Sequence, residues 1–222
     1  EMRQFEDAWY DADKIRLSRS RIDRLGYFKE VQVNSVPVAD APDQVDISVS
    51  VVEKPTGNIG LGAGVSSTDK LILSASLNQA NFFGTGKAFR FEVNTSRLNR
   101  QIAISLTDPY YTPDGVSRSF DLYLRNFNAA ALNLGNYQLR SAGAAIRFGV
   151  PYTEADRLFG GIGVESNRVL LGTSTPAPQR YQDFVNKFGE QTSWLLMTGG
   201  WMRDTRDSGF IPTRGQLQTA NL

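Results

Sequence analysis

The sequence predicts a mainly β protein, an antiparallel meander of transmembrane-barrel type preceded by a short α/β segment. Three observations carry that expectation. Apolar and polar residues alternate in run after run from Thr56 onward, with almost no helical period. Aromatic residues gather at the ends of those runs. The connections alternate between tight turns and longer segments.

The front segment is different. Residues 1–28 read as helical, with Met2, Phe5 and Trp9 at helical spacing in a first helix. Asp11 or Asp13 can cap a second helix, in which Ile15, Ile22 and Leu25 share a face and Arg16, Arg19, Arg21 and Arg24 point mostly outward. Gly26 stops it as a residue just past a helix end would. Two strands follow, Phe28 to Val36 and Val45 to Val52, with Val45, Ile47, Val49 and Val51 on one face. Between them Pro37 to Asp43 reads as a turn-rich loop.

After Thr56 the alternating runs are Ile59 to Val65, Leu71 to Leu77, Phe89 to Val93, Ile102 to Leu106, Phe120 to Leu124, Ala142 to Phe148, Leu158 to Val164 and Leu195 to Trp201. Another strand begins near Gly215. Each run is close to the ~9–11 residues that a tilted transmembrane strand needs. One face is apolar; the other carries Arg, Glu, Asp, Asn and Ser. The period alone does not separate a soluble sandwich from a membrane barrel. In a barrel, the odd positions of the first two runs face lipid, and Arg90, Glu92, Asp121, Arg125 and Arg147 face the lumen.

Two further features favour the membrane. Phe82, Phe83, Tyr110, Tyr111, Tyr152, Trp201 and Phe210 stand at strand ends, where interfacial girdles sit. Gly84-Thr85-Gly86, Pro113-Asp114-Gly115 and Pro151 to Asp156 are tight turns expected on one side of the membrane. Ser66 to Asp69, Arg97 to Gln101, Ala129 to Tyr137 and the long connection Leu171 to Thr192 fall on the other.

Composition narrows the chemistry. The chain has 222 residues, a formal net charge of +1, and neither cysteine nor histidine. Disulfides, thiolate catalysis, imidazole acid–base chemistry and Cys or His metal sites are thereby excluded. No apolar run reaches the ~18–20 residues of a membrane helix. Mean hydropathy is -0.32, a value that an alternating barrel shares with soluble proteins because its two faces cancel. The chain starts at Glu1 without a signal peptide and stops at Leu222 inside a strand-like run, so it is read as a fragment.

Several strings carry a resemblance. They are DRLGYFKEV at 23–31, PDQVDISVSVVEKPTG at 42–57, NFFGTG at 81–86, DPYYTPDG at 108–115 and RDTRDSGFIPTRG at 203–215. In this order they are similar to the BamA family of outer-membrane proteins, in which POTRA domains precede a β-barrel. The resemblance implies that residues 1–55 are the C-terminal part of a POTRA domain and that residues 56–222 are the N-terminal half of a transmembrane barrel. It implies an insertase without enzymatic chemistry and without a cofactor, located in the outer membrane with its POTRA part in the periplasm. Implied partners are unfolded outer-membrane proteins, outer-membrane lipid and a BamD-like lipoprotein, with no nucleic acid. A two-partner-secretion or TamA-like barrel for polypeptide translocation or assembly is the competing reading; a soluble β-sandwich binding module is a third.

The candidate sites follow. Asn58, Ile59, Gly60, Leu61, Gly62, Ala63, Gly64 and Val65 form a glycine-rich first strand. A nucleotide-binding glycine loop needs a helix after it, and here a strand follows. Glycine weakens a strand interior, and an unpaired edge is a template for another strand. The family makes that edge the expected substrate-templating site; the bland alternative is that small residues make room for lumen contents. Arg3 and Glu6, three apart on the expected first helix, stand where the family docks its lipoprotein partner, although a solvated helix surface is the plain alternative. Arg203, Asp204, Arg206 and Asp207 read as a structural charge network rather than an acid–base cluster, and Glu53-Lys54-Pro55 as a stiffened hinge.

Overall fold

The structure is a computed structural model that describes residues 2–39, 41–67, 70–132, 135–172, 176–206 and 212–222. The chain divides into two compact units, Glu1–Thr56 and Gly57–Leu222.

Among the described residues of the first unit one helix, α1 (Ala12–Arg24), packs on β1 (Phe28–Val38), which forms a hairpin with β2 (Ala41–Glu53). Asp11 caps α1, accepting from the backbone N–H of Asp13 (2.9 Å) and Lys14 (3.2 Å). Ile15, Ser18 and Ile22 recur at helical spacing and are buried, as is Val31 of β1. The Ser18 hydroxyl donates to the Lys14 carbonyl at 2.7 Å and accepts from the Arg3 N–H at 2.8 Å. Gly26 has φ +72°, as a residue just past a helix end requires.

Two expectations fail here. The segment 2–11 is not helical. The buried Gln4 side chain holds it as an irregular loop, donating to the Trp9 carbonyl at 2.9 Å and accepting from the Asp11 N–H at 3.1 Å, and Asp7 has φ +57°. Trp9 and Phe5 project into solvent, so their spacing marked no buried face. The loop expected at Pro37 to Asp43 is also mostly strand: β1 runs through Pro37 to Val38, and β2 starts at Ala41. Each strand of a two-stranded hairpin has an open edge, where a proline lacking its N–H does no harm. The register shifts between Pro37 and Val38 to absorb the distortion.

The second unit is one nine-stranded antiparallel sheet in sequence order. Its strands are β3 (Gly57–Ser66), β4 (Lys70–Gln79), β5 (Ala88–Thr95), β6 (Asn99–Asp108), β7 (Ser117–Asn128), β8 (Tyr137–Pro151), β9 (Asp156–Leu171), β10 (Gln191–Asp204) and β11 (Leu217–Asn221). Every alternating run foreseen in the sequence is a strand. The sheet does not close: β3 and β11 are its two edges. The turns expected at 84–86, 113–115 and 151–156 join β4 to β5, β6 to β7 and β8 to β9. Of the expected turn Arg97 to Gln101, the last three residues belong to β6 instead. Residues 68–69 of the first outer turn, 133–134 of the third, and Asp207 and Phe210 lie outside the described residues.

Register fixes the two faces, because directly opposed residues and residues two apart point the same way. One rung opposes Ile59 to Leu77, Leu77 to Phe91, Phe91 to Ile104, Ile104 to Leu122 and Leu122 to Ala144. Val164 and Leu195 continue it. This face is apolar across β3 to β10 and stands open: Leu61 is 81%, Val65 84% and Met197 75% exposed. Water would not tolerate so extensive an apolar surface; bilayer hydrocarbon requires one. Arg90, Glu92, Asp121, Arg125 and Arg147 share the opposite face, as expected. No described helix is long and apolar enough to cross a membrane, and the strands do the crossing.

One element was missed. α2 (Gln179–Phe188) interrupts the long connection. Its signal was present in Tyr181, Phe184 and Phe188, at helical spacing, between Pro178 and Gly189 (φ +83°). Tyr181 stacks on Tyr137, with ring centroids 4.1 Å apart. It closes a small core with Ala129, Ala177, Phe127, Leu139 and Leu171.

Candidate functional site

The edge strand β3 is the candidate site. It has one neighbour, β4, paired from Gly57↔Gln79 to Ser66↔Lys70. Among the described residues, nothing hydrogen-bonds to Asn58–Val65 from the open side. A strand with one neighbour leaves alternate N–H and C=O groups unmatched, and in hydrocarbon each such group costs several times what it costs in water. The eight residues expected to form this site therefore lie on one edge. Ile59, Leu61, Ala63 and Val65 are on the apolar face, and Asn58, Gly60, Gly62 and Gly64 on the polar one.

Glycine fits its neighbours here. A Cβ on Gly60 would meet Ser76 Oγ at 2.6 Å, and one on Gly62 would meet Ser74 Oγ at 2.5 Å. At these two rungs the polar face of the first hairpin sets glycine against serine, flanked by Asn58 opposite Asn78 and Gly64 opposite Ile72. The next pairing is short as well. The β4–β5 register runs only from Ser74↔Asn94 to Gln79↔Phe89. Above it the Thr95 hydroxyl stands in for backbone, accepting from the Leu73 N–H at 2.9 Å and donating to the Leu73 carbonyl at 3.2 Å.

The rest of the polar face is cross-braced. Arg147 Nε donates to Asp121 at 2.9 Å, one strand away. The Tyr123 hydroxyl donates to Glu165 across Gly143, and Asn167 donates to the same carboxylate at 2.6 Å. A Cβ at Gly143 would lie 2.6 Å from Tyr123 Cε1, so any side chain there must displace the ring. At the Gly57 end of the sheet Trp201 Nε1 donates to Asp156 at 3.1 Å, and Arg203 approaches the same carboxylate at 3.7 Å. Arg206 and Asp204 form a two-bond pair at 2.9 and 2.8 Å. These acids and bases are engaged with one another, as a structural network requires. Asp207 is outside the described residues. Among the described residues no group of acids has the arrangement of a metal site.

Arg3 and Glu6 do not share a helix face, because the segment that holds them is a loop. The Arg3 backbone N–H ties that loop to Ser18, and the Glu6 side chain is exposed. Their helical spacing therefore has no structural meaning, although both remain on the loop that precedes α1.

Comparison with known proteins gives the fold a family. Residues 81–222 match the model of the Omp85 superfamily domain. Residues 1–54 match the POTRA model, described as the surface antigen variable number repeat. The chain is 39% identical to the outer membrane protein assembly factor BamA of Neisseria meningitidis over 231 aligned residues, covering 100% of this chain and 29% of that protein. It is 27% identical to BamA of Nitratidesulfovibrio vulgaris, covering 98% of this chain and 26% of the relative. The crystal structure of BamA from Haemophilus ducreyi lacking POTRA domains 1–3 superposes with a TM-score of 0.67 at 26% identity, over 99% of this chain and 43% of that one. The chain thus spans less than a third of the full-length relatives it matches. An open antiparallel sheet with an apolar outer face, preceded by a POTRA segment and matched over most of its length, places this chain in the Omp85 superfamily of the bacterial outer membrane.

Proposed function

We propose that this chain belongs to an outer-membrane protein assembly factor that folds and inserts other β-barrel proteins, with β3 as the template. On this reading residues 1–55 are the C-terminal part of a POTRA domain, and residues 56–222 are the N-terminal half of the barrel. The observation that carries it is β3 itself, the first strand of the sheet, glycine-rich on its polar face and paired within this chain with β4 alone. An incoming strand adds net hydrogen bonds of about 0.5–1.5 kcal/mol each, more in lipid. Because the backbone supplies them, the template is indifferent to substrate sequence, which suits a general assembly factor. The glycine–serine pairing of β3 and β4 leaves few side chains to resist exchange of the neighbour. The work is strand pairing, not bond-making, and needs no cofactor. Unfolded outer-membrane proteins are the proposed substrates. A BamD-like lipoprotein is the proposed partner of the POTRA segment through the loop bearing Arg3 and Glu6.

Residues 1–222 hold no cysteine, so single cysteines provide the test once any cysteine in the rest of the protein is replaced by serine. Single cysteines at 58–65 in the complete protein, paired with single cysteines along the terminal strand of a folding barrel substrate, are oxidised in cells. Capture should follow an antiparallel or parallel register along β3 and be absent from Ile104→Cys in β6. Equal capture from both strands would end the template reading. Cross-links from lumen-facing positions alone, spread evenly over strands, would favour polypeptide transport through the lumen.

A further inference from the structure

The lipid-facing surface changes character at the end of the sheet away from Gly57. β3 begins where the POTRA segment ends, so Gly57 marks the periplasmic side, and β6, β8 and β9 carry residues 100, 140 and 168 at their outer ends. There one rung of the ladder runs Arg100, Asn126, Arg140, Arg168 and Gln191, each directly opposite the next. Two residues further in, the same face carries Ile102, Leu124, Ala142, Ser166 and Ser193. The arginines therefore point to the lipid side, one rung beyond the apolar belt.

Their charges are poorly matched. Arg140 and Arg168 are directly opposed, an arrangement in which like charges repel. Arg168 has Glu190 at 3.5 Å. Arg100 and Arg140, both exposed, make no hydrogen bond or ion pair among the described residues. The periplasmic end of the same face is different: Arg118 stacks on Tyr111 at 3.9 Å, and Lys87 pairs with Asp108 at 3.6 Å. Beneath the arginine rung lies an apolar groove of about 620 Å³ lined by Ile104, Leu122, Ala144 and Val164. It runs through Ile102, Leu124 and Ala142 into a depression of about 510 Å³ bordered by the three arginines. The small Ala142 and Ala144 lie between the larger Leu122, Leu124 and Val164 and make that groove.

We propose that this is a binding site for a phosphorylated glycolipid of the outer leaflet, of the lipid A type. A phosphate bridges Arg140 and Arg168 with Arg100 at its flank, and an acyl chain lies in the groove beside Ala144. Guanidinium forks match phosphate oxygens two at a time, and a phosphate between Arg140 and Arg168 removes the repulsion that the bare rung carries. The leaflet decides the lipid: the rung lies at the end of the strands away from Gly57. The inference rests on this membrane orientation and not on the assembly reading.

The test uses the complete protein in detergent and native mass spectrometry, with four probes: bisphosphorylated lipid A, dephosphorylated lipid A, phosphatidylglycerol and inorganic phosphate. Bisphosphorylated lipid A should be retained about tenfold more tightly than the dephosphorylated form. R140Q/R168Q should abolish that preference, and A144F should weaken both lipid A forms alike. Wild-type protein indifferent to phosphorylation, or R140Q/R168Q indistinguishable from wild type, would overturn the site. Phosphatidylglycerol bound as tightly as lipid A would overturn the choice of lipid, and displacement by equimolar inorganic phosphate would overturn the acyl groove. Should the double variant fail to fold, the probe series on wild-type protein still decides. Loss of cysteine capture at β3 with lipid A binding intact would sink the assembly reading alone.

Discussion

Across β3 and β4 the polar face sets glycine against serine, Gly60 opposite Ser76 and Gly62 opposite Ser74. Across β7, β8 and β9 it sets Arg147 against Asp121 and Tyr123 against Glu165, with Asn167 joined to the same carboxylate. The strands differ in length too, 10 residues in β3 and in β4 against 15 in β8 and 16 in β9. Both regions use the same antiparallel ladder, so each paired rung is bonded alike, although β3 is paired on one side and β8 on both. What separates them is how much would be lost on exchanging a neighbour. In the wall, charged and hydrogen-bonded side chains link each strand to the next across the polar face; at Gly60 and Gly62 of the edge strand no side chain stands on that face to make such a link. A template needs the second kind of strand, and a scaffold needs the first.

Proline gives the largest contrast. In β8, every N–H faces either β7 or β9, so Ala144→Pro and Ala145→Pro should each leave a carbonyl unmatched in the membrane, costing ~1–3 kcal/mol or more. Neither should give the folded, heat-modifiable band on gels. In β3 only alternate N–H groups face β4. Of Leu61→Pro and Gly62→Pro, one should therefore fold normally yet fail to support assembly of other barrel proteins in depleted cells. Failure of both to fold would erase the distinction between edge and wall.

The next effect lies at Gly143. Its missing side chain is what lets the Tyr123 ring cross β8 to reach Glu165. Gly143→Val should displace the ring and strand the carboxylate, destabilising the barrel by ~1–3 kcal/mol. Tyr123→Phe should cost less, because Asn167 still serves Glu165. Urea midpoints in detergent micelles rank the two. Weaker still is Asp121→Asn. Arg147 is half exposed to the lumen and keeps its water, so the change should fall within ~0–1 kcal/mol and shrink further in salt.

The sequence made the wall legible because strand period is a local signal: eight alternating runs and the strand expected near Gly215 became nine strands in order, the runs with the foreseen faces. It misled where tertiary bonding overrode local spacing. Met2, Phe5 and Trp9 had helical spacing but no surface to cover, and Gln4 held their backbone in a loop. Pro37 and Pro42 read as a turn because strand statistics assume neighbours on both sides; a hairpin has open edges. Tyr181, Phe184 and Phe188 spelled a helix inside a segment already read as a long connection. The edge position of β3 was expected from the family and not from its residues. The arginine rung was invisible for a different reason: Arg100, Arg140 and Arg168 lie far apart in sequence, and only register aligns them.

The smallest effect sharpens the edge most. Gly64 has nothing within 4 Å of where a Cβ would stand, whereas at Gly62 that atom would meet Ser74 Oγ at 2.5 Å. Gly64→Ala should be neutral or stabilising by up to ~0.5–1 kcal/mol, because alanine loses less backbone freedom on folding. Gly62→Ala carries the same entropic gain, but Ser74 must rotate its hydroxyl away, a change that a short, freely turning side chain makes at little cost. The two should therefore differ by under ~1 kcal/mol in urea midpoint, and both should support assembly, since neither removes an N–H from the edge. An assembly defect in Gly62→Ala without loss of stability would mean that the bare glycine face, rather than the open backbone, is what the incoming strand reads.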